Sequence, residues 1–318
     1  MTAALQEIIF FAGNANKPLA QKIAAYLDIP LGKALVGQFA DGETRVEIET
    51  NVRGRDVFIL QPTCRPANQH IMEAVIMADA CRRASAENIT LVAPYFGYGR
   101  QERKSAPRTP ISAKLVADLF EASGITRLLT VELHTSAIQG FFNVPVDHLF
   151  AKPVFFDYFK NKIGPENNLI IISPDAGGVE RSRALAKLFN CGLAIVDKRR
   201  DQPNESSVMH IIGEVKGKFC LIVDDICDTG GSLTKAADAL MSAGAEKVSA
   251  VICHPVFSSP AVERIAASSL DEVLVTDSIP LTDDALKCSK IKQLSLAQLL
   301  GKAMRRIHNS ESVSSLFI

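Results

Sequence analysis

The sequence predicts an α/β protein made of two similar units, each a mostly parallel sheet flanked by helices. Three observations predict it. Short apolar runs alternate with amphipathic segments along the whole chain, which is how strand–helix–strand units read. The order of features over residues 57–93 recurs over 220–252: an apolar run, a helical pattern, Ala86-Glu87-Asn88 against Ala245-Glu246-Lys247, and a second apolar run. Met77-Ala78-Asp79-Ala80 lines up with Ala236-Ala237-Asp238-Ala239 inside those helical patterns. Finally, 318 residues suit two domains, expected at 1–150 and 151–318.

The elements follow in order from period and punctuation. Ile8-Ile9-Phe10-Phe11 is an apolar run of strand length, and Leu19, Ile23 and Leu27 then recur one helical turn apart. They predict a strand at 8–11 and a helix at 17–27. Strands at 57–60, 90–93 and 128–131 alternate with helices at 69–84 and 112–123. In the second half, strands are expected at 169–172, 193–196, 220–223, 249–252 and 272–275, apolar enough for burial on both faces. Helices at 153–161, 179–190, 232–242 and 294–307 complete the alternation; Leu233, Ala236, Ala237 and Leu240 mark the third of these.

Composition excludes several classes. Lys plus Arg and Asp plus Glu both number 35, so bulk charge points to neither nucleic acid nor an anionic membrane. No apolar run reaches bilayer-spanning length, and Met1 to Glu7 has no leader pattern. Seven cysteines lie scattered without a Cys-x-x-Cys pair, which suits a reducing compartment. A soluble, cytoplasmic chain is expected.

Chemistry concentrates where the 220–223 strand ends. Asp224 and Asp225 stand side by side at its carboxyl end, where open α/β sheets bind ligands. Like charges so placed require a cation or hydroxyls. Asp228-Thr229-Gly230-Gly231-Ser232 then enters a helix. The glycines let backbone N–H groups approach an anion, the Thr229 and Ser232 hydroxyls add donors, and the helix dipole favours negative charge. The stretch reads as a sugar-phosphate seat, with the anion in the loop and a diol on the acids. Its plainer reading is a strand-to-helix turn capped by Asp228. The first half has Gln61-Pro62-Thr63-Cys64-Arg65-Pro66 instead, without those carboxylates or glycines.

Other segments carry candidate groups. Residues 94–104 form a Gly-, aromatic- and Arg-rich loop after a strand, able to stack a purine on Arg100 and offer Gln101 to its edge. A solvated basic loop reads equally well there, and no third glycine makes it a dinucleotide fingerprint. Phe39-Ala40-Asp41-Gly42-Glu43 reads as a hairpin tip. His134 follows the 128–131 strand, where histidine is commonly a structural hydrogen-bonder. Ser173-Pro174-Asp175-Ala176-Gly177-Gly178 is a second acid-plus-diglycine loop, suited to an anion or, through Asp175, to Mg²⁺ with mostly water ligands. Lys198 and Arg200 belong to a basic cluster that closes a strand and reads as a flap over phosphates. Walker A is absent, since the nearest stretch, residues 213–219, has the wrong spacing.

Taken together, residues 39–43, 98–104, 110–117, 132–142, 173–181, 197–200 and 221–232 resemble the ribose-phosphate diphosphokinases (phosphoribosyl diphosphate synthetases) along essentially the whole chain. The resemblance implies two tandem type I phosphoribosyltransferase-like domains, ATP as co-substrate with Mg²⁺, and oligomers, typically hexamers. It implies that Asp224 and Asp225 bind the ribose hydroxyls while Asp228, Thr229, Gly230, Gly231 and Ser232 hold the 5-phosphate of ribose 5-phosphate. Arg100 and Gln101 would contact ATP, with adenine between Arg100 and a Phe39 supplied by a neighbouring subunit, and Asp41 and Glu43 nearby. His134 and Asp175 match metal and phosphate positions, and Lys198 and Arg200 the catalytic loop pair. Phosphate and ADP are the implied effectors, with Arg53, Arg108 and Ser136 as candidate contacts. Glu132 and Ala137 depart from the usual Asp and Gln, and residues 105–109 from the usual charged segment, which bears on effector response.

The implied reaction is attack by the ribose 5-phosphate O1 hydroxyl on the β-phosphorus of ATP, with AMP released. A phosphoribosyltransferase explains 221–232 equally well, but neither the second copy of the unit nor the 39–43 and 98–104 blocks. A non-catalytic synthetase-associated subunit would carry insertions near the flexible segments. Here the spacing is short and Lys198 is intact.

Overall fold

A computed structural model describes residues 8–160, 162, 168–199 and 208–316. The chain forms two compact units. The first holds the chain up to Phe150 with Ser278–Pro280 and the segment from Ser295, the second Ala151–Asp277 and Leu281–Leu294.

In the first unit, β1 (Ile8–Ala12), β4 (Asp56–Leu60), β5 (Asn88–Ala93), β6 (Arg127–Val131) and β7 (Val146–Leu149) form a parallel sheet in that order. Helices α1 (Lys17–Leu27), α2 (Ala67–Arg83) and α3 (Ser112–Ser123) connect them. Asn16 caps α1 by accepting from Leu19 N at 3.1 Å, and Gly124 ends α3 at φ +103°. Between α1 and β4, β2 (Ala34–Gln38) and β3 (Thr44–Ile48) pair as a separate antiparallel hairpin.

The second unit repeats this plan. Parallel strands β8 (Leu169–Ser173), β11 (Phe219–Cys227), β12 (Lys247–Pro255), β13 (Val273–Thr276) and β14 (Ile291–Leu294) correspond in order to the first sheet. Here β9 (Gly192–Arg199) joins the sheet beside β8, and β10 (Val208–Ile212) pairs antiparallel with β9 at the edge. Its helices are α4 (Lys152–Phe159), α5 (Val179–Phe189), α6 (Gly231–Ser242), α7 (Ala261–Ala267) and α8 (Asp283–Lys287). Ile222, Ile252, Val275 and Leu240 are among the fully buried side chains of the sheet–helix core.

The expected α/β class holds, with differences at its margins. The last helix, α9, runs over Ala297–His308 rather than 294–307, because residues 291–294 extend as β14. Expected within 151–318, it packs instead in the first unit, against α1. Gly301 permits this, since a Cβ there would lie 2.4 Å from the Tyr26 ring, and His308 Nδ1 meets Asp56 Oδ2 at 2.6 Å. No helix among the described residues is long and apolar enough to cross a membrane.

Candidate active site

The second unit diverges at one place. From β8 the chain turns to β9 on one side, and from β11 to β12 on the other, although β8 and β11 are neighbours. Such a switch point leaves a crevice at the carboxyl ends of the two strands. Pairing of β11 with β8 stops at Ile222↔Ile172, whereas β11 runs on against β12 through Asp224↔Ile252 and Ile226↔His254. Asp224 and Asp225 therefore overhang that crevice.

Their electrostatics are those of a strained pair. Asp225 is 5% exposed. Arg181, from α5, places Nη1 3.3 Å from Asp225 Oδ1 and 3.8 Å from Asp224 Oδ1. One guanidinium thus serves two carboxylates. Burial, followed by the charge of Asp225, pushes the Asp224 carboxyl well above its ordinary range despite Arg181. The neighbouring Cys227 thiol is pushed up to about 12, chiefly by burial, which leaves it a small inert side chain rather than a nucleophile.

After β11, the loop turns into α6 through Gly230, whose φ of +73° a Cβ would strain and whose Cβ position lies 3.3 Å from the Ala261 carbonyl oxygen. The N-cap of α6 is Gly230, which has no side chain to cap the helix, so an anion can approach the first-turn N–H groups closely. Arg264 of α7 fixes the loop from below by donating from Nη1 to Thr229 O at 3.0 Å. Across the crevice, Asp175 follows β8. Gly178 N donates to its Oδ1 at 2.8 Å and Ser173 Oγ to its carbonyl at 2.7 Å. That shapes an exposed loop with one carboxylate oxygen left over.

Lys198 is extended within β9, its backbone opposite Met209 of β10, rather than beyond the strand as expected. Arg200 and the Lys198 side chain lie outside the described residues.

In the first unit the loop after β5 is tightly made. Gly97 N donates to Thr63 Oγ1 at 2.6 Å, and a Cβ on Gly97 would lie 2.2 Å from the Thr63 carbonyl oxygen. Tyr98 takes φ +62° and its hydroxyl donates to Asn68 Oδ1 at 2.5 Å. This anchored turn presents Arg100 and Gln101 as exposed residues. Gln101 Oε1 accepts from Ser112 Oγ at 2.6 Å, which assigns its amide NH2 to an outside acceptor. Residues 39–43 form the β2–β3 hairpin tip, closed by Phe39 N to Glu43 O at 2.8 Å and by Glu43 N to Asp41 Oδ1 at 3.1 Å. Phe39 is 51% exposed there, with the Arg45 guanidinium 5.7 Å from its ring centre. An aromatic held out on a two-stranded hairpin is open to a contact from outside. His134 is exposed after β6, and the preceding Leu133 N donates to Nε2 of the buried His148 at 2.9 Å.

The candidate effector residues are not one cluster within a chain. Arg53 precedes β4, at the amino ends of the sheet, where its Nη1 donates to Ser85 Oγ at 3.2 Å. Arg108 and Ser136 follow β5 and β6, at the carboxyl ends. One ligand reaches all three only if different copies of the chain supply them.

Among the described residues no three His, Cys, Asp or Glu converge on a metal-sized point. Asp175, with a carboxylate oxygen to spare, fits an ion that keeps waters and substrate phosphates as its other ligands, as Mg²⁺ does. The imidazole of His134 suits a phosphate oxygen better than this hard ion. Sequence reasoning assigned no role to Arg181, Arg264 or His148. Each acts through a contact formed only on folding.

Residues 8–124 match the family described as the N-terminal domain of ribose phosphate pyrophosphokinase, and residues 197–318 the phosphoribosyl synthetase-associated domain. The chain is 52% identical over 315 residues to a ribose-phosphate pyrophosphokinase of Marinomonas sp. (strain MWYL1), covering 98% of this chain and 99% of that one. To one from Mesorhizobium japonicum it is 55% identical over 307 residues, covering 96% and 99%. The crystal structure of phosphoribosylpyrophosphate synthetase from Mycobacterium smegmatis matches with a TM-score of 0.90 at 38% identity, over 96% of this chain and 99% of that chain.

Proposed function

The chain belongs to the ribose-phosphate pyrophosphokinase family, and from that premise we propose how its residues divide the reaction. It is a transferase of nucleotide biosynthesis that moves the diphosphoryl group of ATP to ribose 5-phosphate, leaving AMP. The observation that carries the assignment of sites is the overhang of Asp224 and Asp225 beside the Gly230–Gly231 start of α6.

In this reading the 5-phosphate sits on the N–H groups of Thr229 to Ser232, with both hydroxyls as further donors, and Asp228 closes the loop. The ribose diol donates to Asp224 and Asp225, which relieves the repulsion that burial imposes on them. The O1 hydroxyl is thereby held for in-line attack on the β-phosphorus, a step that needs positioning and charge neutralisation more than covalent help. Arg100 stacks on adenine and Gln101 donates to its edge, while Phe39, with Asp41 and Glu43, closes the base from a neighbouring copy of the chain. His134 donates to a phosphate oxygen. Asp175 would hold Mg²⁺, which would supply positive charge to the phosphates. Lys198 and Arg200 stabilise the charge that grows as AMP departs. Hexameric assembly, response to phosphate and ADP through Arg53, Arg108 and Ser136, and a cytoplasmic setting complete the proposal. The free cysteines fit that last point.

The test is an assay with Mg-ATP and ribose 5-phosphate that follows AMP. AMP is expected to appear only with both substrates and in step with phosphoribosyl diphosphate. AMP release without the sugar phosphate, or consumption of the diphosphate with a free base alone, would replace this function with a rival.

A further inference from the structure

In the first unit, the crevice that corresponds to the sugar-phosphate seat is already filled from within. β1 and β4 pair there as β8 and β11 do. Ala15 N donates to Gln61 Oε1 at 3.1 Å and Asn14 N to Glu73 Oε2 at 3.1 Å, so two backbone amides after β1 already serve side chains. Glu73 comes from α2, the helix that corresponds to α6, and both it and Gln61 are fully buried. The Glu73 carboxylate collects four donors. Asn14 N and Gln61 Nε2 (2.7 Å) bind Oε2, while Asn14 Nδ2 (3.0 Å) and Gln69 Nε2 (3.2 Å) bind Oε1. Together they fill the lone-pair sites of both oxygens. Space is filled as well, since a Cβ on Gly13 would lie 2.3 Å from Gln61 Oε1.

The same Asn14 amide reaches out of this knot. Its Nδ2 also donates to Val36 O of β2 at 3.2 Å. Val36, Val46 and Ile48 of the hairpin pack on the core that includes Ala74, Met77 and Ala78 of α2. The hairpin root is therefore tied to Glu73, while its tip carries residues 39–43.

We propose that Glu73 is a built-in acceptor that takes the place of a bound phosphate in the first unit and, through Asn14, fixes the root of the β2–β3 hairpin. It is a positioning residue for the nucleotide clamp at 39–43 and touches no substrate. The role rests on the reading that the hairpin tip contacts ATP.

Glu73→Gln keeps the size but sets an amide NH2 against donors, and Glu73→Ala empties the knot. Asn14→Ala is the milder second variant, which removes the tie to Val36. Backbone hydrogen exchange over residues 34–48 reads the hairpin, and KM for each substrate reads the clamp. All three variants should exchange faster over 34–48 and raise KM for ATP about tenfold, with KM for ribose 5-phosphate within about twofold. Formate, a free carboxylate, should partly reverse both effects in Glu73→Ala and neither in Asn14→Ala. Phe39→Ala is the control for the underlying reading. If it raises KM for ATP while the Glu73 and Asn14 variants change neither exchange nor KM, the positioning role is overturned and the clamp stands. A Phe39→Ala enzyme with an unchanged KM for ATP removes the clamp, and the positioning role with it. An equal rise in both KM values with a lowered Tm reduces Glu73 to a general stabiliser and also overturns the proposal.

Discussion

Lys198→Ala is expected to lower kcat about 10²–10³-fold while KM for ribose 5-phosphate stays within about twofold. The reasoning starts from charge. In the proposed step negative charge grows on the AMP oxygen and the transferred diphosphoryl group, and a cation that meets it only then acts on kcat rather than on ground-state binding. The sugar phosphate has its own seat in the loop after β11, built from N–H groups that the substitution leaves intact. Lys198 belongs to β9, which pairs with β8, the strand that leads to Asp175. Lys198→Arg keeps the charge but spreads it over a planar fork, so partial activity is expected. Steady-state kinetics with each substrate varied in turn checks both variants, and a normal kcat in Lys198→Ala removes the role assigned to it.

Asp224→Asn is expected to slow the enzyme and, above the raised pKa of Asp224, to stabilise the ligand-free protein. Burial, then the charge of Asp225, raises the Asp224 carboxyl above its ordinary value of 3.8. A raised folded pKa means that the folded state binds this proton more tightly than the unfolded one. Its contribution to stability is complete below the unfolded value and is lost as pH rises through the raised one. Above the raised value the ionised side chain therefore opposes folding, and a neutral amide relieves it. Tm of Asp224→Asn should exceed that of the parent by roughly a few degrees on the alkaline side of that value, with the gap closing as pH falls through it. Activity should move the other way, because an acceptor for the ribose diol is weakened. A loss of about 10–10²-fold in kcat/KM for ribose 5-phosphate is expected. Ribose 5-phosphate should also raise Tm of the parent far more than that of the variant. A variant no more stable than the parent at any pH would remove the electrostatic account of the pair.

The long buried elements were legible in the sequence because their apolar runs are continuous. Residues 169–172 and 220–223 could be little other than central strands. The strands that escaped are short or half-buried. β14 reads Ile291-Lys292-Gln293-Leu294, which is no apolar run, and β2 has only a short one with no fully buried residue. α9 was legible as a helix but not as a partner of α1, since periodicity says which face is apolar and not what will cover it. The site shows the same division. Asp224, Asp225 and Gly230 stood out because chemistry and backbone demand those residue types side by side. Arg181 and Glu73 did not, because each matters through partners far away in sequence, at Asp225 and at Asn14. The Gln61–Pro66 substitution showed that the first unit had lost its loop, yet only the packed side chains reveal what now fills the crevice.

The most direct measurement is a structure of the protein with ribose 5-phosphate and an ATP analogue that cannot transfer its diphosphoryl group. The 5-phosphate should rest on the amides of residues 229–232 with the ribose diol on Asp224 and Asp225, and adenine should lie against Arg100. A sugar phosphate bound elsewhere, with those amides left to solvent, would contradict the account at its root.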